Sequence, residues 1–359
     1  MSIIEGIYEQ KIKSIIASVS ASDKKIKSLS EQRWDSVAHP LSGLGLLENA
    51  VSSIAAAEGR VIPDISRKAV AVFCADNGIV AEGVSQTGQE VSAIVAENMC
   101  TGKTSVCTMA KIARATVFPV DAGLLRAITH KKMNCICVRR GTADFLKEDA
   151  MTREEACQTF LRGAFFAKTL VQKGFSLLAT GEMGIGNTTT STAVVCALLS
   201  LSVEAVTGRG AGLTNAGLQT KIRVIREGLE RRNPDKSDPI DVLCKVGGLD
   251  IAAMTGFFVG AAAEKTPVLI DGFISAVSAL LAARLCPHCA DFFLATHSSS
   301  EPAVKKVFSA LKKRPFISAQ MHLGEGTGAV AAMPLLDMAL SVYKTMATFN
   351  DIQVEAYKR

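Results

Sequence analysis

The chain has 359 residues, of which 48% are hydrophobic and 21% charged, with a formal net charge of +6. That length suits one large domain with an accessory piece, or two domains, and the balance excludes a long disordered stretch. Aromatic residues make up 5% and do not interleave with Lys131-Lys132, Arg139-Arg140 or Lys312-Lys313-Arg314, so these basic runs read as solvated faces and not as a nucleic-acid surface.

A mild basic excess suits an anionic small substrate. The stretch Met1 to Glu9 carries acids where a secretory signal would be basic, and the best apolar candidate, Thr192 to Val203, is too short to cross a membrane. The ten cysteines lie mostly inside apolar runs, as buried thiols do in a reducing compartment. The expectation is a cytoplasmic protein without structural disulfides, whose partners are small molecules, with no nucleic acid and no membrane.

Residues 1–37 read as amphipathic helix without a catalytic motif. Pro40 and the glycines of His39-Pro-Leu-Ser-Gly-Leu-Gly45 break it, and Leu46 to Gly59 resumes a helical pattern. From residue 68 short apolar runs alternate with longer helical stretches. The runs are 69–74, 115–120, 176–179, 267–270 and 291–295. Such alternation predicts an α/β fold, a parallel sheet with crossover helices, and ligands at the carboxyl ends of its strands. Thr152-Arg-Glu-Glu155 is a capping box opening a helix through Lys173. Residues 328–357 read as one or two helices.

Two loops stand out. Gly181-Glu-Met-Gly-Ile-Gly-Asn-Thr188 follows the strand 176–180 and precedes a helix over 189–199. A Gly-rich turn at a helix start lets N–H groups surround an anion, and Asn187, Thr188 and Thr189 add side-chain donors. The spacing nearly matches a Walker A loop but lacks its lysine, which disfavours an NTPase and leaves a monophosphate. An ordinary Gly-rich connector is the plainer alternative. The second loop, His322-Leu-Gly-Glu-Gly-Thr-Gly328, sets Glu325 between glycines in apolar surroundings. A carboxylate held there has a raised pKa and can act as a general base. Glu182 is the second candidate carboxylate, or simply an acid at a helix N-terminus.

Other signals are weaker. Gly102-Lys103-Thr104 lacks an upstream glycine and sits in helical context. Cys286-Pro-His-Cys289 matches a redox C-x-x-C but trails a helical run instead of opening a helix, so structural cysteines fit better. No second Cys pair or paired histidines stand at zinc spacing. His297, before Ser298-Ser-Ser300, suits a ligand contact and a loop cap equally.

Five motifs in order carry a resemblance: Ala75-Asp-Asn-Gly78 with Glu82-Gly-Val84, Gly181 to Thr189, Val246 to Gly256, Asp271-Gly-Phe-Ile274, and Leu323-Gly-Glu-Gly-Thr-Gly328. Over about residues 39–346 the chain resembles the nicotinate-nucleotide:dimethylbenzimidazole phosphoribosyltransferases. The resemblance implies a doubly wound, mostly parallel sheet flanked by helices over 39–330, with a small helical domain from 1–38 plus 331–359. It implies transfer of ribose 5-phosphate from nicotinate mononucleotide to an aromatic acceptor with inversion, giving the lower-ligand nucleotide of a cobamide. The family's general base falls on Glu325 and its second carboxylate on Glu182. Phosphate and ribose positions fall on Gly184, Ile185, Gly186, Asn187, Thr188, Lys221 and Gly248, and acceptor positions on Thr87, Met183, Leu323 and His322. The pyridinium leaves as a neutral ring, so the chemistry calls for no metal and no cofactor.

The chain departs from the family pattern at several places. Asn77 replaces a usual His and His322 an Arg, Val95 stands where the family has a polar residue near the acceptor, and Thr87-Gly88-Gln89 and Pro40 to Glu48 are altered. These changes spare Glu325 and the phosphate loop but touch the acceptor pocket and the dimer contact. They predict an acceptor other than dimethylbenzimidazole: another benzimidazole, a purine or a phenol. They leave open a homodimer or a heterodimer with a homologous chain. In the alternative reading the chain is the partner subunit of a heterodimeric phenol-activating enzyme, with little activity alone.

Overall fold

The computed structural model describes residues 3–358; Met1 and Ser2, part of the stretch read above for a secretory signal, and Arg359 lie outside it. In chain order the elements are α1 (Ile3–Ser18), α2 (Lys24–Ser36), α3 (Leu46–Glu58), β1 (Lys68–Ala75), α4 (Glu90–Thr101), α5 (Ser105–Ala113), β2 (Ala115–Gly123) and β3 (Asn134–Cys135). Next come α6 (Arg153–Gln172), β4 (Leu177–Met183), α7 (Asn187–Leu199), α8 (Val203–Val206), α9 (Asn215–Arg232), α10 (Pro239–Val246) and α11 (Leu249–Ala263). The chain closes with β5 (Val268–Ile270), α12 (Phe273–Leu285), β6 (Phe293–Ala295), α13 (Val304–Leu311) and α14 (Thr327–Thr345).

β1 is buried along its whole length, which explains a run of apolar residues without alternation: both sides of the strand meet helices. Ala69, Ala71, Phe73 and Ala75 face one layer, with α6, α7, α11 and α12. Val70, Val72 and Cys74 face the other, with α3, α5 and α14. The strand order is β3-β2-β1-β4-β5-β6, and every pairing is parallel. This is a doubly wound α/β sheet, with the order reversing between β1 and β4.

The Thr152 hydroxyl and the Glu155 side chain form the expected capping box at the start of α6. Several boundaries differ from the sequence reading. β4 continues through Gly181, Glu182 and Met183, because these residues still pair with Val72, Phe73 and Cys74 of β1. The loop proper is therefore only Gly184–Gly186, and α7 begins at Asn187 with Gly186 as N-cap. β3 has just two residues, too few to show as an apolar run. Helix ends at Thr345 and does not resume over 346–357. Cys286 closes α12 but also opens the 3-10 turn Pro287–Phe292 as its N-cap, so the motif does start a helix, contrary to the sequence reading. All ten cysteines are free thiols.

The termini divide between the layers. α2 joins α14 through Trp34 and Tyr343, whose rings lie 4.7 Å apart. α1 packs against α6 and α11 on the opposite face, burying Ile12 there. No helix among the described residues is long and apolar enough to cross a membrane.

Candidate active site

A doubly wound sheet opens a crevice where its strand order reverses. At this crevice β1 runs into Asp76-Asn77-Gly78 and β4 into Gly184-Ile185-Gly186. A cavity of about 770 Å³ lies elsewhere, among α1, α6 and α11, but the buried acids converge at the switch point.

The Glu325 loop is held there from below. Gly324, Glu325 and Gly326 all have left-handed backbone, with φ of 84°, 59° and 89°. A non-glycine residue in that region is strained and persists only where its surroundings fix it. Asp271, at the end of β5, does so: its carboxylate accepts from Gly326 N at 3.2 Å and from Ala329 N at 3.0 Å. An acid at the first turn of α14 also complements the helix dipole.

The two loops meet. A Cβ at Gly181 would lie 2.5 Å from the Glu325 carbonyl, so only glycine lets the backbones approach this closely. A Cβ at Gly324 would lie 2.5 Å from Glu182 Oε1. Glu182 and Glu325 therefore share one cleft. Asn187 joins a third acid to them: its amide nitrogen donates to Glu182 Oε2 and, at 3.1 Å, to Asp250 Oδ2.

Burial sets the charge states. It pushes the Glu182 carboxyl up to about 8, with Asp250, Asp271 and Glu325 adding to the rise. Asp250 and Asp271 are each pushed up to about 6, again chiefly by burial. Glu325 is raised by burial too, but the Val106 N–H and the Thr104 hydroxyl oppose the rise. Glu182, at about 8, gives up its proton at higher pH than Asp250 and Asp271, each at about 6, the kind of division by which neighbouring carboxyls take different roles.

A buried lysine reaches the start of α7. Lys221 is wholly buried, donates to Thr188 Oγ1 at 2.9 Å, and is pulled down to about 8 by burial. Gly210 packs against both side chains, and its N–H donates to Glu301 Oε1 at 3.1 Å. Glu301 Oε2 is buried without a hydrogen-bond partner among the described residues.

The other sequence-selected residues spread around this core. The Ile185 N–H donates to Ser92 Oγ at 3.0 Å and its carbonyl accepts from Asn77 Nδ2 at 3.3 Å, so this part of the loop is fastened to the protein. Gly184 and Gly248 lie against Asn77 and Asp250. Met183 is partly buried at the end of β4. Leu323 is 54% exposed, His322 is exposed with Nδ1 3.1 Å from Gln320 O, and Thr87 is exposed with its N–H on Ser85 Oγ. Sequence reasoning missed Asp250, Asp271 and Glu301 as site residues. An acid directly after a strand, as in Ile270-Asp271-Gly272, was a usable signal for Asp271.

A doubly wound sheet with carboxyls and a buried lysine gathered near its switch point is the architecture of an α/β protein that takes a ligand at its strand ends. A family model described as phosphoribosyltransferase matches residues 19–354. The nicotinate-nucleotide–dimethylbenzimidazole phosphoribosyltransferase of Ruminiclostridium cellulolyticum is 43% identical over 328 residues, 91% of this chain and 93% of that one. The enzyme of the same name from Acetivibrio thermocellus is 42% identical over 340 residues, 93% and 95% of the two chains. The crystal structure of CobT from Thermus thermophilus superposes with a TM-score of 0.88 at 38% identity, covering 92% of this chain and 99% of that one. The chain belongs to the nicotinate-nucleotide–dimethylbenzimidazole phosphoribosyltransferase family, and is a transferase.

Proposed function

We propose that the chain moves ribose 5-phosphate from nicotinate mononucleotide to an aromatic acceptor with inversion at C1, yielding an α-riboside 5′-phosphate for the lower ligand of a cobamide. One observation carries this reading: Glu182 and Glu325 face a common cleft beside the Lys221–Thr188 cradle. The cradle and the N-terminus of α7 grip the phosphate. The bond from C1 to the pyridinium nitrogen breaks and its electron pair stays on the ring, which leaves neutral. The acceptor bonds C1 from the opposite face, and its proton passes to Glu325. The transition state has oxocarbenium character, as in glycoside chemistry. A cationic pyridinium nucleotide favours the ionised form of Glu182, which then stabilises positive charge near C1.

The acceptor is a benzimidazole, a purine or a phenol. The departures from the family pattern at Asn77 and His322, drawn from the resemblance, favour an acceptor other than dimethylbenzimidazole. A phenol, with a pKa near ~10 as in tyrosine, demands close placement of Glu325. The reading includes a cytoplasmic enzyme acting as a homodimer, or as a heterodimer with a homologous chain. It also includes a small helical domain from 1–38 plus 331–359 beside a catalytic domain over 39–330; the Trp34–Tyr343 contact supports this for α2 and α14, whereas α1 lies on the opposite layer.

The test incubates the purified chain with nicotinate mononucleotide and, separately, dimethylbenzimidazole, benzimidazole, adenine and phenol, following nicotinate release and product configuration by NMR. Turnover with a non-dimethylated acceptor, lost in Glu325→Gln, is expected. Dimethylbenzimidazole turnover far above all others ends the altered-acceptor reading. A β-configured product ends the inversion.

A further inference from the structure

Glu325 is steadied by a helix that its own loop does not touch in sequence. α5 begins at Ser105, with Thr104 as N-cap in extended backbone, φ −91° and ψ 167°. A threonine at this position ordinarily accepts the N–H of the second or third helical residue. Thr104 does not: its side chain makes no capping bond to α5, and its buried hydroxyl has no partner of good geometry among the described residues. The second helical N–H, that of Val106, points instead at Glu325 Oε2, 3.4 Å away and 219 residues along the chain. The Thr104 hydroxyl lies against the same carboxylate. Glu325 thus occupies the place of a helix cap.

We propose that Thr104 is a positioning residue for Glu325: its hydroxyl and the Val106 N–H hold Oε2 at the N-terminus of α5, leaving Oε1 to receive the acceptor's proton. The proposal rests on Glu325 being the base. Two titratable groups face this carboxylate, Asp271 after β5 and Glu182 at the end of β4. Both are acids, and the charge of Asp271 disfavours its ionisation. The partial positive charge at the start of α5 opposes that effect. The arrangement opposes the rise that burial gives the Glu325 carboxyl and fixes which oxygen is free.

The test compares Thr104→Val, which keeps the shape and removes the hydroxyl, with Thr104→Ser, which keeps the hydroxyl. The readout is the pH profile of kcat/KM with the acceptor that wild type turns over best. In Thr104→Val the acid limb is expected to move to higher pH by roughly one pH unit, since a lost hydrogen bond to the charged form raises its pKa. kcat falls several-fold, KM for nicotinate mononucleotide holds, and Thr104→Ser restores the wild-type limb. Tm stays at the wild-type value, because no capping bond is removed. An unmoved limb in Thr104→Val overturns the proposal, as does a fall in Tm with an unmoved limb, which would make Thr104 a plain helix cap. If Thr104→Val does not fold, Thr104→Ala is read in its place. Glu325→Gln runs alongside: full activity there removes the base itself, whereas an inactive Glu325→Gln beside an unshifted Thr104→Val refutes only the role of Thr104.

Discussion

Glu182 shows at the scale of one residue how a site built for chemistry costs stability. Its carboxyl is raised from 4.5 to about 8 by burial, so the folded chain keeps a proton that the unfolded chain releases. The stability this group supplies is complete below about pH 4.5 and is lost as pH rises through about 8. Glu182→Gln keeps the shape and removes the titration. It should abolish turnover yet raise Tm at pH 8 by roughly 2–5 °C, with the gain vanishing toward pH 5, as seen in thermal melts across pH. A flat difference across pH would mean that the carboxyl is not neutral in the empty cleft. Gly181 is constrained differently. A methyl there would meet the Glu325 carbonyl at 2.5 Å and Gly326 N at 2.6 Å, and backbone cannot swing aside as a side-chain tip can. If Glu325 is the base as proposed, Gly181→Ala should spread the two loops and lower kcat/KM at least about 100-fold, because displacement of a base by an ångström is costly. Steady-state kinetics on the folded variant would settle it.

At the scale of elements, the parts legible in sequence were those with local signatures. The runs of β1, β2, β5 and β6, the capping box of α6 and the two Gly-rich loops all follow from patterns a few residues long. Tertiary effects were not legible. Gly181 to Met183 reads locally as loop, yet pairing with β1 keeps it strand. Asp250 and Asp271 look like ordinary helix-start acids until folding buries them beside the half-buried Glu182. Thr104 sits in a Gly-Lys-Thr string that lacks the rest of a nucleotide-binding signature, and its significance comes from a partner on a distant loop. The α6–α11 contact is also invisible locally. Gly256 and Gly260 of α11 lie so close to α6 that a Cβ would stand 1.8 Å from Phe160 O and 2.4 Å from Ala164 O. These small residues let two helix backbones touch, which seats α11 and brings Asp250, in its first turn, to the cleft. Gly256→Ala should force the helices apart and cost roughly 2–4 kcal/mol, a loss measurable by urea unfolding. An unchanged midpoint would show that the helix pair can slide without penalty.

At the scale of the whole molecule, the candidate cleft and the N-terminal helix occupy separate regions. The cleft lies at the carboxyl ends of β1 and β4, while α1 rests on the outer surface of the layer formed by α6 and α11. There α1 buries Ile12, and Val19 just beyond it is buried as well. Glu9 pairs with Arg153 at 2.6 Å, and Arg153 with Asp238 at 2.7 Å. Ser22 N, in the link to α2, donates to Asp291 at 3.0 Å. None of these groups touches the acids of the cleft. The ion pairs are partly exposed and contribute little on their own, so the apolar contact dominates, at about 2 kcal/mol for each aliphatic side chain fully buried. Deleting residues 1–20 should therefore lower Tm by roughly 5–10 °C while leaving kcat/KM within about threefold of wild type below the melting transition. A truncated chain that stays folded but loses turnover would place α1 in the catalytic unit, and the separation of scaffold from site along the sheet axis would not hold.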